Sequence, residues 1–160
     1  MKNLQIIAYF IFIIGSAFSQ NSGGPDTYGY TWYNSNHAQG PVFNWIDITS
    51  SGTQITGLSD DNSVAFISMA QPFHYYWSDY TQIKIGSNGW LSFDNVGNIA
   101  HCFPVIPTSA GTGDNYLAPF MSDLIFGAAI PSEAWYYDDL VNDRFIVSYI
   151  NVPWWSVNSP

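Results

Sequence analysis

Short runs rich in β-branched and aromatic residues recur along the chain, and turn-forming residues separate them. The runs lie at 43–49, 54–56, 64–69, 73–77, 81–85, 90–93, 116–120, 135–137 and 144–151. No long stretch places apolar residues at the i, i+3, i+4 and i+7 positions of an amphipathic helix. Many short strands joined by turns are typical of antiparallel sandwiches and barrels. The sequence therefore predicts an all-β fold, an antiparallel β-sandwich of jelly-roll-like type.

One hairpin can be predicted down to its register. Ile83 and Ile85 alternate with polar residues before a Ser-Asn-Gly turn, and Leu91 and Phe93 are apolar at alternate positions after it. Residues paired across two strands share a face of the sheet. A two-residue loop would pair apolar with polar positions, whereas a three-residue loop at 87–89 pairs Ile85 with Leu91 and Ile83 with Phe93. The pattern therefore predicts the three-residue loop, with Gly89 at positive φ.

The first nineteen residues have the layout of a secretory signal peptide. Lys2 supplies a positive charge, residues 4–14 form an apolar run, and Ala17 and Ser19 make an A-x-S cleavage site. This run is shorter than the roughly 20 residues of a spanning helix, and no later apolar segment is long enough. We therefore predict a signal peptide at 1–19, a linker at 20–30 and a β-sandwich module at 31–160. The expected location is secreted or at the cell surface, with no membrane span after cleavage.

The chain is acidic and poor in charge. Charged residues make up 9% of it, aromatic residues 18%, and the formal net charge is −9. Lys84 and Arg144 are the only basic residues outside the predicted signal peptide. Because phosphate backbones are bound through basic contacts, nucleic acid is excluded as an expected partner. Divalent cations and neutral polymers such as glycans fit better. Cys102 is the single cysteine, so no intramolecular disulfide can form.

The predicted hairpin also carries a family resemblance. The stretch 80–93, YTQIKIGSNGWLSF, resembles a strand–turn–strand signature of a β-rich module. That module occurs in large bacterial secreted proteins, many of which have a type IX secretion sorting domain. Further segments agree in the same order: GPD at 24–26, GYTW at 29–32, GP at 40–41, WIDI at 45–48, GLSDDN at 57–62, LAPF at 117–120, DL at 123–124, RFIV at 144–147 and NVP at 151–153. The chain is more loosely similar to nidogen-type extracellular domains, which also combine an Asn-Gly hairpin with an apolar-Pro-Phe…Asp segment.

This resemblance covers the chain from about residue 24 to its end, and it implies an architectural unit rather than a reaction. In such a module further strands would follow residues 154–160. We therefore expect the sandwich to be incomplete at the C-terminus. Neighbouring domains of the same polypeptide are then its first expected partners.

Two acidic segments offer hard oxygen ligands of the kind that calcium prefers. They contain Asp60 with Asp61, and Asp138 with Asp139 and Asp143. Neither segment fits the twelve-residue EF-hand loop, and aspartates also occur in turns for local hydrogen-bonding reasons. Calcium binding at these five residues and plain turn capping are both open readings. No other metal or cofactor is expected.

Aromatic residues are too numerous for one small core to bury them all. Adjacent ones such as Tyr75, Tyr76 and Trp77 cannot all face inward on a strand, because side chains alternate between the two faces. We take Tyr75, Trp77, Trp135 and Tyr137 as ligand-binding candidates, since exposed aromatic faces suit sugar rings and protein surfaces. The alternative is that further strands beyond residue 160 cover these rings.

No catalytic motif is found. There is no G-x-S-x-G elbow, and the histidines at 37, 74 and 101 lack metal-ligand spacing. We therefore predict no catalytic residues and no enzymatic activity in this chain. The predicted function is a non-catalytic extracellular structural or adhesive module of a larger secreted protein, contacting glycan or a surface protein through exposed aromatics. The alternative is an accessory domain of an extracellular hydrolase, a protease or glycosidase, whose catalytic part lies beyond residue 160.

Overall fold

The computed structural model describes residues 20–94, 115–127 and 131–155. The predicted signal peptide at 1–19 and Cys102 lie outside these residues. Every regular element in the described part is a β-strand, which confirms the all-β prediction. The strands are β1 Ser22–Gly23, β2 Trp32–Tyr33, β3 Thr53–Ile55, β4 Ile67–Tyr75, β5 Ser78–Ile85, β6 Leu91–Ser92, β7 Tyr116–Leu117, β8 Glu133–Asp139 and β9 Arg144–Ile150. A helix with the length and apolar character to cross a bilayer does not occur in these ranges.

The chain divides into two compact units, one ending at Asn44 and the other beginning at Trp45. The described part of the first unit contains a two-stranded antiparallel sheet, in which Ser22 of β1 lies opposite Tyr33 of β2. Oδ1 of Asp26 accepts hydrogen bonds from the backbone N–H groups of residues 28, 29 and 30, so this one carboxylate holds the connecting turn. The stretch 20–30, predicted as a linker, thus contains β1.

The second unit contains two antiparallel sheets. The three-stranded sheet has the order β3-β8-β9, so a strand from the start of the unit pairs with a hairpin from its end. The four-stranded sheet has the order β4-β5-β6-β7, in which each strand lies beside its neighbour in sequence. Pairing between β3 and β8 closes a loop of about eighty residues, and the hydrophobic contacts between the sheets must offset the entropy lost in closing it.

One buried cluster takes side chains from both sheets of the second unit. Ile55 and Ala134 come from the three-stranded sheet, Ile85 comes from the four-stranded sheet, and Phe126 completes the cluster. Burying an isoleucine side chain contributes about 2 kcal/mol relative to leaving it in water. Because this cluster is shared, the inner faces of the two sheets pack against each other in a sandwich-like arrangement, as predicted.

A second cluster forms around Phe93 on the four-stranded sheet. Met69 and Ile83 are buried with it, and the rings of Phe73 and Tyr80 stack on Phe93 with centroid distances of 5.3 and 4.7 Å. Stacked aromatic rings add stability beyond the area they bury. Several aromatic residues whose location the sequence did not predict therefore pack together in this cluster.

The predicted β5–β6 hairpin is confirmed in its register. Ile85 lies opposite Leu91, and the backbone N–H of Gly86 donates to the carbonyl of Trp90 at 3.0 Å, which leaves residues 87–89 as the loop. Gly89 has a φ of 74°, as predicted. Ile83 and Phe93 belong to the same core cluster. The alternation of apolar residues was therefore sufficient to predict the length of this loop.

The strand predicted at 43–49 is wrong, because none of these residues lies in a strand. The carboxylate of Asp47 accepts hydrogen bonds from the backbone N–H of Thr49 at 2.9 Å and from its hydroxyl at 2.7 Å. The carbonyl of Ile48 accepts from the N–H of Gly52 at 2.7 Å. Local side-chain and backbone hydrogen bonds compete with a strand ladder, and here they hold a turn.

The two strands predicted at 64–69 and 73–77 are largely one strand. β4 runs through both, with a shift of register between Ser68 and Phe73. It ends at Tyr75, which lies opposite Ser78, so Tyr76 and Trp77 form a two-residue turn rather than the end of a strand. A bulge of this kind absorbs the extra residues and bends the strand.

Candidate functional site

The loop of the β5–β6 hairpin is polar and buried. Ser87 and Asn88 are 1% and 0% exposed. The side chain of Asn88 donates from Nδ2 to Oδ1 of Asp61 at 2.8 Å, and its Oδ1 accepts from the backbone N–H of Leu124 at 2.8 Å. The backbone N–H of Ser122 donates to the carbonyl of Asn88 at 3.2 Å. Buried amides are stable only when they are hydrogen-bonded, and Asn88 meets this condition by linking the segments 57–62 and 120–124.

Ser87 fixes the first of these two segments. Its backbone N–H donates to the carbonyl of Asn62 at 2.8 Å, and its hydroxyl accepts from the N–H of Asn62 at 3.0 Å. The same hydroxyl lies within hydrogen-bonding distance of the carbonyl oxygen of Asp60. Asn62 in turn folds the segment on itself, since its Nδ2 donates to the carbonyl of Gly57 at 2.7 Å. Residues 57–62 are therefore held in place by hydrogen bonds to Ser87 and by a hydrogen bond within the segment itself.

This framework brings three carboxylates together. Asp60, Asp61 and Asp123 each offer one oxygen, and these three oxygens lie within 4.8 Å of one another. Asp60 and Asp123 are half-buried, and Asp61 is exposed. We call these residues the acidic cluster. The structure thus unites the predicted calcium candidates Asp60 and Asp61, and it adds Asp123, which the sequence analysis did not select.

The surroundings of Asp60 disfavour its charge. Burial, followed by the negative charges of Asp61 and Asp123, raises the pKa of the Asp60 carboxyl, while a hydrogen bond from the Trp155 indole opposes the rise. Its Oδ1 is shielded from solvent and has no hydrogen-bond partner among the described residues. A buried acceptor without a partner costs about 1–3 kcal/mol.

The other three calcium candidates form no such group within the described ranges. Oδ2 of Asp138 accepts from the backbone N–H of Ala70 at 2.5 Å, which ties β8 to β4. The carboxylate of Asp139 accepts from the Asn142 amide at 2.8 and 3.0 Å and from Nε of Arg144 at 2.7 Å. These hydrogen bonds, that from Asn142 first, lower the pKa of Asp139.

Asp139 and Asp143 both suit the positions that they occupy in the β8–β9 turn. Asp139 is its buried anchor, and Asp143 has a φ of 52°, a left-handed conformation that aspartate tolerates better than most residues. The contacts of Asp139 are those of a turn-capping residue, which is one of the two alternatives that the sequence left open.

Two of the aromatic candidates lie at the β4–β5 turn. The ring of Trp77 is 75% exposed and stacks on Tyr76 with a centroid distance of 5.7 Å. Tyr75 is half-buried and packs at 5.2 Å against Phe93 and at 4.7 Å against Tyr76. Tyr75 therefore anchors the turn, while Trp77 is presented to solvent. We call residues 75–77 the aromatic tip.

The other two aromatic candidates lie on β8. Ala134 and Tyr136 belong to the shared core, so the alternation of a strand places Trp135 and Tyr137 on the opposite face of the three-stranded sheet. Both are half-buried, and Nε1 of Trp135 donates to Oε2 of Glu133 at 2.7 Å. The structure does not bring them together with the aromatic tip.

Sequence reasoning missed Asn88 as an organising residue and Asp123 as a member of the acidic cluster. Both stand in segments quoted for the family resemblance, 80–93 and 123–124, but no spacing rule joins Asp123 to Asp60 and Asp61, which precede it by more than sixty positions. A polar residue in a hairpin loop is ordinarily exposed, so its burial could not be predicted.

Comparison with known proteins identifies a family. A family model described as NIDO related matches residues 32–159. No curated protein and no solved structure matches the chain. The matched span contains the acidic cluster, the aromatic tip and both sheets of the second unit. It agrees with the looser, nidogen-type part of the resemblance, while the bacterial type IX part stays a prediction.

Proposed function

The chain belongs to the NIDO-related family, and from this we propose that it is a non-catalytic structural and adhesive module of a larger secreted protein. Domains of this family are typically extracellular. The signal-peptide layout of residues 1–19 and the type IX-like hairpin signature support secretion by a bacterium. We further propose that adhesion uses the aromatic tip and that its ligand is a glycan.

The observation that carries this proposal is an exposed ring held on a strained turn. Tyr76 has a φ of 51°, a conformation that favours glycine and is costly for a tyrosine. The chain nevertheless has an aromatic residue here, and its ring supports the exposed ring of Trp77. Tyr76 is only partly buried, and backbone strain that is kept at such a turn is often found at binding sites.

The chemistry of the tip favours a neutral ligand with flat apolar faces. The rings of Tyr76 and Trp77 are inclined by 30° and offer an extended aromatic surface. Beside them His74 and Asp79 contact each other at 2.6 Å between Nδ1 and Oδ1, and both are mostly exposed. A sugar ring presents apolar C–H faces to aromatic rings and hydroxyl groups to such polar neighbours. The acidic net charge disfavours polyanionic glycans.

Glycan binding is tested with the purified chain on an array of neutral and acidic glycans, compared with Trp77→Ser. We expect Trp77→Ser to weaken binding by at least about tenfold, the loss seen when a central aromatic contact is removed. Val141→Ser is the matched control, because Val141 is an apolar residue that is 92% exposed at a different turn. Thermal unfolding of each variant verifies the fold.

Tyr76→Gly provides a second arm. Glycine relieves the positive φ, so the variant is expected to be as stable as the wild type while its glycan binding falls. Retention of no glycan by the wild-type chain would reject the glycan ligand. Equal binding by Trp77→Ser and Val141→Ser would reject the aromatic tip as the site.

A further inference from the structure

We propose that a cleft between β4 and the β8–β9 turn binds one sugar ring of a neutral glycan and selects it by its hydroxyl groups. Its lining includes Gln71 and Phe73 of β4, and Leu140, Asp143 and Arg144 at the turn. We call this site the β4 cleft. The proposal rests on the glycan binding proposed above, because it adds a second point of contact to that of the aromatic tip.

A bulge of β4 forms one wall of the cleft. Between its ladder pairs at Ser68 and Phe73, β4 has four residues where β5 has one. Bulges re-aim side chains and are frequent beside functional sites. The backbone N–H of Ala70, within the bulge, donates to Oδ2 of Asp138 on β8 at 2.5 Å. The bulge is thus fixed to the other sheet, and the cleft is formed by contacts of the protein itself.

The size and the apolar walls of the cleft suit one sugar ring. Its volume is about 320 Å³ when the open mouth is included, at the lower end of the range for small-ligand pockets. Phe73 and Leu140 are 42% and 54% exposed, so both present apolar surface that the core does not cover. The C–H faces of a sugar ring can pack on such a surface.

Arg144 supplies hydrogen-bond donors whose position is fixed. Its Nε donates at 2.7 Å to Oδ2 of Asp139, a buried carboxylate that the Asn142 amide also holds. The two terminal amino groups of the Arg144 guanidinium have no hydrogen-bond partner among the described residues. Arginine carries its N–H donors in a rigid fork, so those that Asp139 does not use are available to ligand oxygens. Donors that are held in advance lose less entropy on binding.

Hydrogen-bond acceptors lie around the same cleft. The side chains of Gln71 and Asp143 form no hydrogen bond with another described residue. Asp138 also lines the cleft, and the Ala70 N–H uses only one of its two oxygens. Each sugar hydroxyl both donates and accepts a hydrogen bond, so it fits a lining that offers both types of group.

The charges favour a neutral ligand. Arg144 and Asp139 neutralise each other, which leaves Asp138 and Asp143 to repel an anionic ligand. A cationic ligand offers no acceptor to the unused donors of Arg144, and covering these donors without a partner costs affinity. Hydroxyl groups satisfy donors and acceptors alike without adding charge.

The cleft and the aromatic tip are close to each other. Phe73 of the cleft and Tyr75 of the tip both pack on Phe93, with centroid distances of 5.3 and 5.2 Å from its ring. One glycan chain can therefore reach both sites. The exposed ring of Trp77 then contributes mainly affinity, and the polar groups of the cleft contribute specificity.

The first test measures binding of neutral glycans to the full chain by calorimetry. The probes are cellotriose, mannotriose and chitotriose, together with any neutral glycan that the array retains. We expect Gln71→Ala and Arg144→Lys each to weaken binding about threefold to tenfold, which corresponds to one lost hydrogen bond. Arg144→Lys keeps the positive charge beside Asp139, and thermal unfolding verifies the fold of both variants.

Gln54→Ala is the matched control for Gln71→Ala. It removes an exposed glutamine amide from β3 and leaves the lining of the cleft intact. Val141→Ser is a second control, because Val141 lies in the β8–β9 turn but does not line the cleft. Both controls are expected to bind the probes as the wild type does. A loss of binding in the controls equal to that in the cleft variants would overturn the proposal.

Trp77→Ser separates this proposal from that for the aromatic tip. If Trp77→Ser weakens binding and neither cleft variant does, the tip binds glycan and the β4 cleft is rejected alone. If only the cleft variants weaken binding, the cleft is the site and the tip is rejected. If no neutral glycan binds, both are rejected. Tighter binding of carboxylate-bearing glycans would show that Arg144 recognises an anion, and it would overturn the neutral ligand.

Nuclear magnetic resonance locates the ligand independently of affinity. The same glycan is titrated into the ¹⁵N-labelled chain, and the shifts of the backbone amides are followed. We expect shifts at residues 69–73 and 138–145 as well as at the aromatic tip. In Gln71→Ala the shifts at 138–145 are expected to need more ligand. Shifts that are confined to residues 75–79 would place the whole ligand at the tip and overturn the proposal.

Discussion

Gly89→Ala is expected to destabilise the second unit strongly, for two separable reasons. Gly89 has a φ of 74°, and an added Cβ would lie 2.0 Å from the carbonyl oxygen of Phe120. The left-handed conformation alone costs an alanine about 1 kcal/mol. The steric overlap involves backbone, which cannot rotate away, and overpacking of this kind costs about 1–3 kcal/mol more. The expected loss is therefore about 2–4 kcal/mol, a large part of the 5–15 kcal/mol that stabilises a typical domain.

Gly57→Ala isolates the first of these costs. Gly57 has a φ of 89°, but nothing lies within 4 Å of the position of its added Cβ. We expect this control to lose only about 1 kcal/mol. Urea unfolding followed by tryptophan fluorescence measures both variants, and Trp90, which is 1% exposed beside the loop, reports directly on the region.

The comparison can refute the reasoning. If Gly89→Ala and Gly57→Ala lose the same free energy of unfolding, the approach of Phe120 to the hairpin loop contributes nothing, and only the backbone conformation matters. If neither variant loses stability, the assignment of Gly89 to a left-handed turn position is itself wrong.

Two further predictions concern the polar contacts of the second unit. Asn88→Ala leaves the buried N–H of Leu124 without its acceptor, so we expect the free energy of unfolding in urea to fall by about 1–3 kcal/mol. Hydrogen exchange at the Leu124 amide is expected to become faster, and unchanged exchange there would contradict the linking role of Asn88. Asp139 has its pKa lowered by hydrogen bonds from Asn142 and Arg144, so it stabilises the fold above the ordinary aspartate pKa of about 3.9, and this contribution is lost as the pH falls through the lowered folded value. We expect Asp139→Asn to lose less stability than the wild type on acidification below about pH 4, and parallel stability–pH curves for the two proteins would show that Asp139 does not contribute.

Local sequence was sufficient where a structural feature depends on neighbouring residues. The period-two alternation around residues 83–93 predicted the pairing of Ile85 with Leu91 and the positive φ of Gly89, because a shift of one residue would turn every side chain to the other face. The same local signals predicted the all-β class. They failed at 43–49, where apolar composition suggested a strand but the hydrogen bonds of Asp47 hold a turn.

The tertiary structure alone decided which distant residues meet. β3 pairs with β8 across about eighty residues, and Asp123 joins Asp60 and Asp61 because the buried side chain of Asn88 links their segments. Likewise, Tyr75 packs against Phe93 while Trp77 stays exposed, a difference that depends on where β4 bulges and ends. Short-range preferences act through the backbone of adjacent residues. Long-range contacts depend on the balance of burial and hydrogen bonding in the whole unit, which a single sequence does not display.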